Sequence, residues 1–194
     1  MRTSIDDDVA RWVADHRLAV LDDITIWMAE LSGLLGVLAA VGVVIICAAV
    51  WFGGLRPVVQ IVVVLAAVSL LTRWMKPAID RPRPPRDLAL YDTYESAMPS
   101  SHALITAAIV VAVVMADWWS SDRLRRAALV AGVVGCLVVG AAMVYLGVHW
   151  LTDVLVGWVL GVGLTWPLMR VARAMSPAAR SGRTSAPPRR PPPG

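Results

Sequence analysis

Three short stretches hold the residues that could do chemistry. Residues 145–153 read Tyr-Leu-Gly-Val-His-Trp-Leu-Thr-Asp, so His149 and Asp153 stand four apart and share one face of a helix or helical turn. An imidazole whose second nitrogen is held by a carboxylate keeps one tautomer and one orientation, which makes histidine a nucleophile or a base. Alone, the pair reads more simply as polar caps of a membrane helix at the water boundary. Upstream, Pro99-Ser100-Ser101-His102 sets a second histidine behind two small hydroxyl residues and ahead of an apolar run. Residues 76–84, Lys-Pro-Ala-Ile-Asp-Arg-Pro-Arg-Pro, crowd Lys76, Arg81 and Arg83 among prolines in what reads as a loop after another apolar run. Taken singly, Lys76 and Arg83 are read equally well as headgroup anchors.

The order of the three pieces is the stronger signal. Lys, six residues, then Arg-Pro; Pro-Ser-x-His; and His-x-x-x-Asp, in that sequence, resembles the type 2 phosphatidic acid phosphatase (PAP2) superfamily over residues 76–169. The resemblance implies a PAP2/haloperoxidase-like helical core and metal-independent removal of phosphate from a lipid or small phosphoester, with no cofactor. It also implies roles. His149 would attack phosphorus and form a phosphohistidine, and Asp153 would orient it. His102 would protonate the leaving oxygen, a task that needs a pKa near the working pH. Lys76 and Arg83 would hold the phosphate oxygens, arginine as a fork and lysine as a point charge. Ser100, and the backbone amides near Ser101 and His102, would add donors where a helix begins. Ser101 stands where the family often has glycine.

One position departs from that pattern. The family's third motif begins Ser-Arg, with the arginine six positions before the histidine; here those positions are Ala142 and Met143. Loss of one preorganised donor typically costs about 10²–10³ in rate. Either Arg81 or another cation serves as an auxiliary, or the enzyme is slow, or the chain binds lipid phosphates without turning them over. A phosphotransferase of the same fold is a further reading. Lipid substrates in keeping with the resemblance are undecaprenyl pyrophosphate, another polyprenyl phosphate, phosphatidic acid or phosphatidylglycerophosphate. Tyr91, Tyr94 and Glu95 either line the entrance or sit at the interface, as tyrosine often does.

Apolar runs must position these residues. With 194 residues, 58% of them hydrophobic, the chain is one membrane domain rather than a water-soluble globule. The fold class is all-α, a polytopic bundle of about five transmembrane helices. Residues 34–52 form an uncharged run long enough to cross about 30 Å of hydrocarbon; further spans are expected at 58–74, 101–116, 124–148 and 152–169. Residues 1–30 carry too many aspartates to cross, since a central Asp costs about 2.5–3.5 kcal/mol on insertion scales. They read as one or two amphipathic helices in the interface, with Asp6, Asp7 and Asp8 favouring a helix N-terminus. The catalytic domain is expected over 31–172, followed over 173–194 by a Pro/Arg-rich tail that builds no core.

Composition excludes other classes. The net charge of +4 would suit a nucleic-acid partner, but long uncharged runs would not. Cys47 and Cys136 fall in apolar runs as small buried hydrophobes and suggest neither metal site nor disulfide. No basic-then-apolar leader opens the chain. Five spans bring all three motif pieces to one side of the membrane. The opposite side holds Arg56, Arg123, Arg125, Arg126, Arg170, Arg173 and four tail arginines. The positive-inside rule makes that side cytoplasmic, so the motif faces outward across the plasma membrane.

Overall fold

The structure, a computed structural model, describes residues 3–31 and 55–175. Two short helices come first, α1 (Ser4–Asp15) and α2 (Ala19–Leu31). Thr3 and Asp6 start α1 reciprocally: the Thr3 hydroxyl accepts from Asp6 N–H at 3.2 Å, and the Asp6 carboxylate accepts from Thr3 N–H at 3.3 Å. This satisfies donors that a helix start leaves orphaned. Four long helices follow: α3 (Leu55–Ile79), α4 (Ser101–Met115), α5 (Asp122–Tyr145) and α6 (Leu151–Ala174). A single 3₁₀ turn, Arg86–Leu88, interrupts the loop between α3 and α4.

α4 is the central helix, packed against α3, α5 and α6. Small residues set how closely it meets α6. A Cβ at Gly157 would lie 2.8 Å from the Ser100 carbonyl oxygen, and one at Gly161 would lie 2.4 Å from that of Leu104. Both contacts are with backbone, so glycine alone lets the helices touch there. Val64 and Val68 of α3, Leu104, Ala108 and Ala112 of α4, and Met169 of α6 fill the common core. The register runs α4 and α6 in the same direction. Their N-termini therefore meet the C-termini of α3 and α5 at one end of the bundle.

The outer faces are apolar. Val59, Val63 and Leu70 on α3, Val130, Val134 and Leu137 on α5, and Val159, Val162 and Val171 on α6 are all exposed. Side chains of that kind along helices of 23–24 residues belong in lipid, and the chain is a membrane protein. α4 has 15 residues, roughly 22 Å at 1.5 Å per residue. It is shorter than the hydrocarbon core, and Trp118 and Trp119 follow it. Trp119 Nε1 donates to the Val113 carbonyl at 2.9 Å.

Several boundaries differ from expectation. Lys76 lies in the last turn of α3 rather than in a loop. Pro77 lacks an N–H to donate, but the helix ends two residues later. Asp80, at φ 42°, closes it with an N–H to the Lys76 carbonyl at 2.9 Å. α5 stops at Tyr145, short of residue 148. Gly147 turns the chain at φ 70°, and a Cβ there would sit 2.1 Å from the Leu88 carbonyl oxygen. α6 runs past 169 and 172 to Ala174, where Arg173 pairs with Asp117 at 2.6 Å and suits the negative end of the helix dipole. The expected span over 34–52 lies outside the described residues, as does the tail from 176 onward. α1 does more than rest in the interface, because it packs on α5 and α6.

Gly161→Ala should push α4 from α6 and lower stability by about 1–3 kcal/mol, the usual range for overpacking. Gly163→Ala, where an added Cβ meets nothing within 4 Å, should be neutral or stabilise slightly through helix propensity. Thermal unfolding of both variants in detergent checks the contrast. Equal melting temperatures would show that the α4–α6 contact is not close.

Candidate functional site

At the end of the bundle where α3, α4, α5 and the α5–α6 turn meet lies a cavity of about 360 Å³. Its lining includes Lys76, Arg83, Ser101, His102 and His149, with Met143, Tyr91, Asp92, Thr93 and Glu95. Residues from α3, α4 and α5, the loop between α3 and α4 and the α5–α6 turn are thus brought to one space. Ser100 is not among them. It is fully buried, its hydroxyl caps α4 by accepting from Ala103 N–H at 3.5 Å, and its own N–H donates to the Asp153 carbonyl at 3.2 Å. The first turn of a helix needs an acceptor for its free donors, and that demand takes Ser100 away from the expected phosphate contact.

The turn that carries His149 is fixed from several directions. Trp150 caps α6, and its N–H donates to Asp153 Oδ2 at 2.9 Å. The Trp150 indole N–H reaches the Pro82 carbonyl at 2.9 Å, tying the turn to the motif loop. His149 Nδ1 stands 3.7 Å from Asp153 Oδ2 and, among the described residues, has no closer hydrogen-bond partner. Burial pushes the His149 imidazole below its ordinary pKa; Asp153 opposes this, while Arg83 and Lys76 reinforce it. The ring is therefore held neutral near pH 7, the state in which its free nitrogen has a lone pair.

Behind Asp153 lies a buried ion network. Arg81 donates through Nη1 to Asp153 Oδ1 and, at 2.7 Å, to Thr152 Oγ1; through Nη2 it reaches Asp6 Oδ2 at 2.7 Å. Side-chain exposure is 3% for Arg81 and 0% for Asp6 and Asp153. Burial alone would raise the Asp6 pKa. The Thr152 N–H, the Thr3 and Thr152 hydroxyls and Arg81 outweigh it and hold the carboxyl at about 2. Arg81, the expected auxiliary cation, does not line the cavity; its guanidinium is engaged by Asp6, Thr152 and Asp153 instead. Asp6, Thr152 and Trp150 escaped sequence reading. The Thr3-to-Asp6 spacing betrays a helix cap, but nothing local marks a partner 75 residues away.

The cavity's own charges are already balanced. Lys76 Nζ donates to Glu95 Oε2 at 2.9 Å, and this bond holds Glu95 below the usual carboxylate range. Arg83 donates through Nε to the Glu95 carbonyl and through Nη1 to the Val148 carbonyl, both at 2.6 Å. Against these two cations stand the carboxylates of Asp92 and Glu95. A wider groove of about 760 Å³ runs down between α3 and α4, past Ala66, Leu70 and Ile105, and shares Lys76, Glu95 and Ser101 with the cavity.

A membrane helical bundle with two histidines, a lysine and an arginine around one cavity defines a site at one end of the bundle able to hold an oxyanion beside an imidazole. The chain belongs to the PAP2 superfamily, whose family model matches residues 57–176. The fold is also that of a transmembrane PAP2-type phosphatidylglycerolphosphate phosphatase from Bacillus subtilis, with a TM-score of 0.77 and 22% identity. That likeness covers 90% of this chain and 87% of the other. No curated protein matches the sequence.

Met143 borders the cavity while packing among Ala103, Leu146 and Val148, so an arginine there gains the polar space at the cost of that apolar packing. Met143→Arg should tighten orthovanadate binding roughly tenfold, since hydrogen bonds to charged groups contribute about 1.5–3 kcal/mol and the present charges cancel. Titration of the purified variant with vanadate checks this. Unchanged or weaker affinity would show that position 143 does not address a bound oxyanion.

Proposed function

We propose that this protein is an integral-membrane lipid phosphatase acting on a phosphomonoester or pyrophosphate through a phosphohistidine. The observation that supports it best is the convergence of Lys76, Arg83, Ser101, His102 and His149 on one cavity. In this reading Lys76 and Arg83 take up the phosphoryl oxygens, releasing the internal carboxylate contact at Glu95. His149 Nε2 attacks phosphorus as the bond to the leaving oxygen breaks, and His102 gives that oxygen its proton. Water, deprotonated by His102, then attacks phosphorus; the N–P bond breaks and inorganic phosphate leaves. Asp153 holds the His149 ring and compensates its charge in between. The groove between α3 and α4 suits the apolar part of a lipid, with its phosphate delivered to Lys76. The substrate classes in keeping with this are polyprenyl pyrophosphates, phosphatidic acid and phosphatidylglycerophosphate.

His149→Ala should lower phosphate release from phosphatidic acid or undecaprenyl pyrophosphate in detergent by several orders of magnitude, while the protein still unfolds cooperatively. EDTA should leave the wild-type rate unchanged and vanadate should inhibit it. Activity that survives His149→Ala, or that vanishes on chelation and returns with magnesium, would sink the mechanism. A second reading, a lipid-phosphate-binding protein with little turnover, is favoured by Met143 and by the balanced charges of the cavity. Saturable vanadate binding without measurable release from any lipid phosphate would select it.

The site is proposed to face outward. Arg123, Arg125 and Arg126 at the start of α5, and Arg170 and Arg173 at the end of α6, gather at the far end of the bundle, as the positive-inside rule asks of a cytoplasmic face. In a chain with Cys47 and Cys136 replaced by serine, Arg86→Cys should react with an impermeant thiol reagent on intact cells, and Arg123→Cys should react only after lysis. The reverse pattern would move the site to the inner leaflet.

A further inference from the structure

We propose that Asp6 and Arg81 are positioning residues of the site: Arg81 fixes the carboxylate of Asp153, and through it the ring of His149, while Asp6 holds Arg81 in place. The inference rests on the reading of His149 and Asp153 as the reacting pair. The N-terminal helix α1 is then a working part of the site.

The geometry points there in three ways. Each oxygen of Asp153 is committed: Oδ1 to Arg81, Oδ2 to the Trp150 N–H, with His149 Nδ1 at 3.7 Å. The carboxylate therefore cannot rotate without breaking a charge-assisted bond. Arg81 is forked between two carboxylates on different helices, Asp6 on α1 and Asp153 on α6, with Thr152 between them. Asp6 also accepts from the Thr152 N–H at 3.0 Å and from its hydroxyl at 2.9 Å, so it docks directly on the first turn of α6. Finally, α1 and α2 are joined to the frame elsewhere. Arg17 donates to the Leu88 and Tyr145 carbonyls at 2.6 and 3.0 Å, and the Tyr145 hydroxyl donates to Asp22 Oδ1 at 2.7 Å. A segment that only floated on the lipid would not cap the end of α5.

The network also sets the charge that His149 feels. Beside the imidazole is Asp153 from α6, and around the cavity with it are Lys76 from α3, His102 from α4, and Arg83, Tyr91, Asp92 and Glu95 from the loop; Arg81 and, behind it, Asp6 from α1 act through Asp153. Removing Arg81 leaves the Asp153 charge undivided, which favours the imidazolium and raises the His149 pKa. Removing the Asp6 charge leaves Arg81 uncompensated, which lowers it. The two changes carry opposite signs, which a merely structural role would not produce.

The test reads His149 directly. Histidine ring resonances of the full chain in detergent micelles are titrated for wild type, Arg81→Gln, Arg81→Lys and Asp6→Asn, and assigned by His16→Gln and His102→Gln. The expected result is a His149 pKa raised in Arg81→Gln and lowered in Asp6→Asn. With phosphatidic acid as probe, the acidic limb of kcat/KM should move with each, because the attacking nitrogen must be unprotonated. Arg81→Gln should lower kcat on the order of 10²-fold with KM little changed, the cost of a misplacement of about 1 Å. Arg81→Lys, which reaches one carboxylate but does not fork between two, should fall between. If Arg81→Gln fails to fold, the nearly isosteric Asp6→Asn carries the sign test alone. A His149 pKa that stays put, or shifts the same way in both folded variants, overturns the proposal. The resonance readout needs no turnover, so a protein without phosphatase activity would defeat the functional reading and leave this one standing or falling by itself.

Discussion

A guanidinium and two carboxylates, all nearly or fully buried, sit at the head of a membrane bundle, and much of the architecture answers to them. Such charges lose hydration worth several kcal/mol per ion, and only close pairing with further hydrogen bonds offsets that loss. Here one arginine faces two aspartates, leaving a net negative charge. The N-terminus of α6 supplies what is missing: Asp6 accepts from the Thr152 N–H and Asp153 from the Trp150 N–H, where the helix dipole favours anions. α1 must reach α6 for this to close. The arrangement explains why a segment so rich in aspartate is packed against the bundle rather than released to water.

The second constraint is separation between helices. α4 and α6 carry both the Ser101–His102 pair and Asp153 at their N-termini, so the site exists only if those ends lie side by side. Gly157 and Gly161 permit backbone contact along the seam, and in lipid that packing takes the place of a hydrophobic driving force. Gly147 performs a related service at the turn, where its left-handed backbone lets Leu88 close over the chain just before His149. Leu90 N–H then bonds the Leu146 carbonyl at 2.8 Å, so the motif loop and the histidine turn form one body.

The cavity itself is electrostatically quiet. Its cations are occupied by Glu95 and by backbone carbonyls, and its carboxylates match them in number. An incoming oxyanion must exchange these contacts for its own. Glu95 is the natural group to yield: its side chain is 77% exposed, against 10% for Lys76, and exposed pairs are worth about 1 kcal/mol or less.

Much of this was legible in the amino-acid order. Uncharged runs must be helices in lipid, because no other segment satisfies its own backbone there; the all-α membrane fold follows from that, as do the approximate spans at α3, α5 and α6. The order of the three motif pieces pointed to the PAP2 superfamily, which the family match shows. Helix ends were less legible. Pro77 reads as a breaker yet falls where its missing N–H costs little, and Arg173 falls in the expected tail yet extends α6. What the tertiary structure alone decided is which side chain each polar residue meets. Arg81 turns to Asp6 and Asp153 rather than to the cavity, Ser100 spends its hydroxyl on the helix start, and Met143 borders the cavity from within an apolar cluster. Sequence spacing fixes neighbours within a turn or two of a helix. A partner 75 residues away is chosen by the rigid packing of α1, α3 and α6, which the separate segments do not contain.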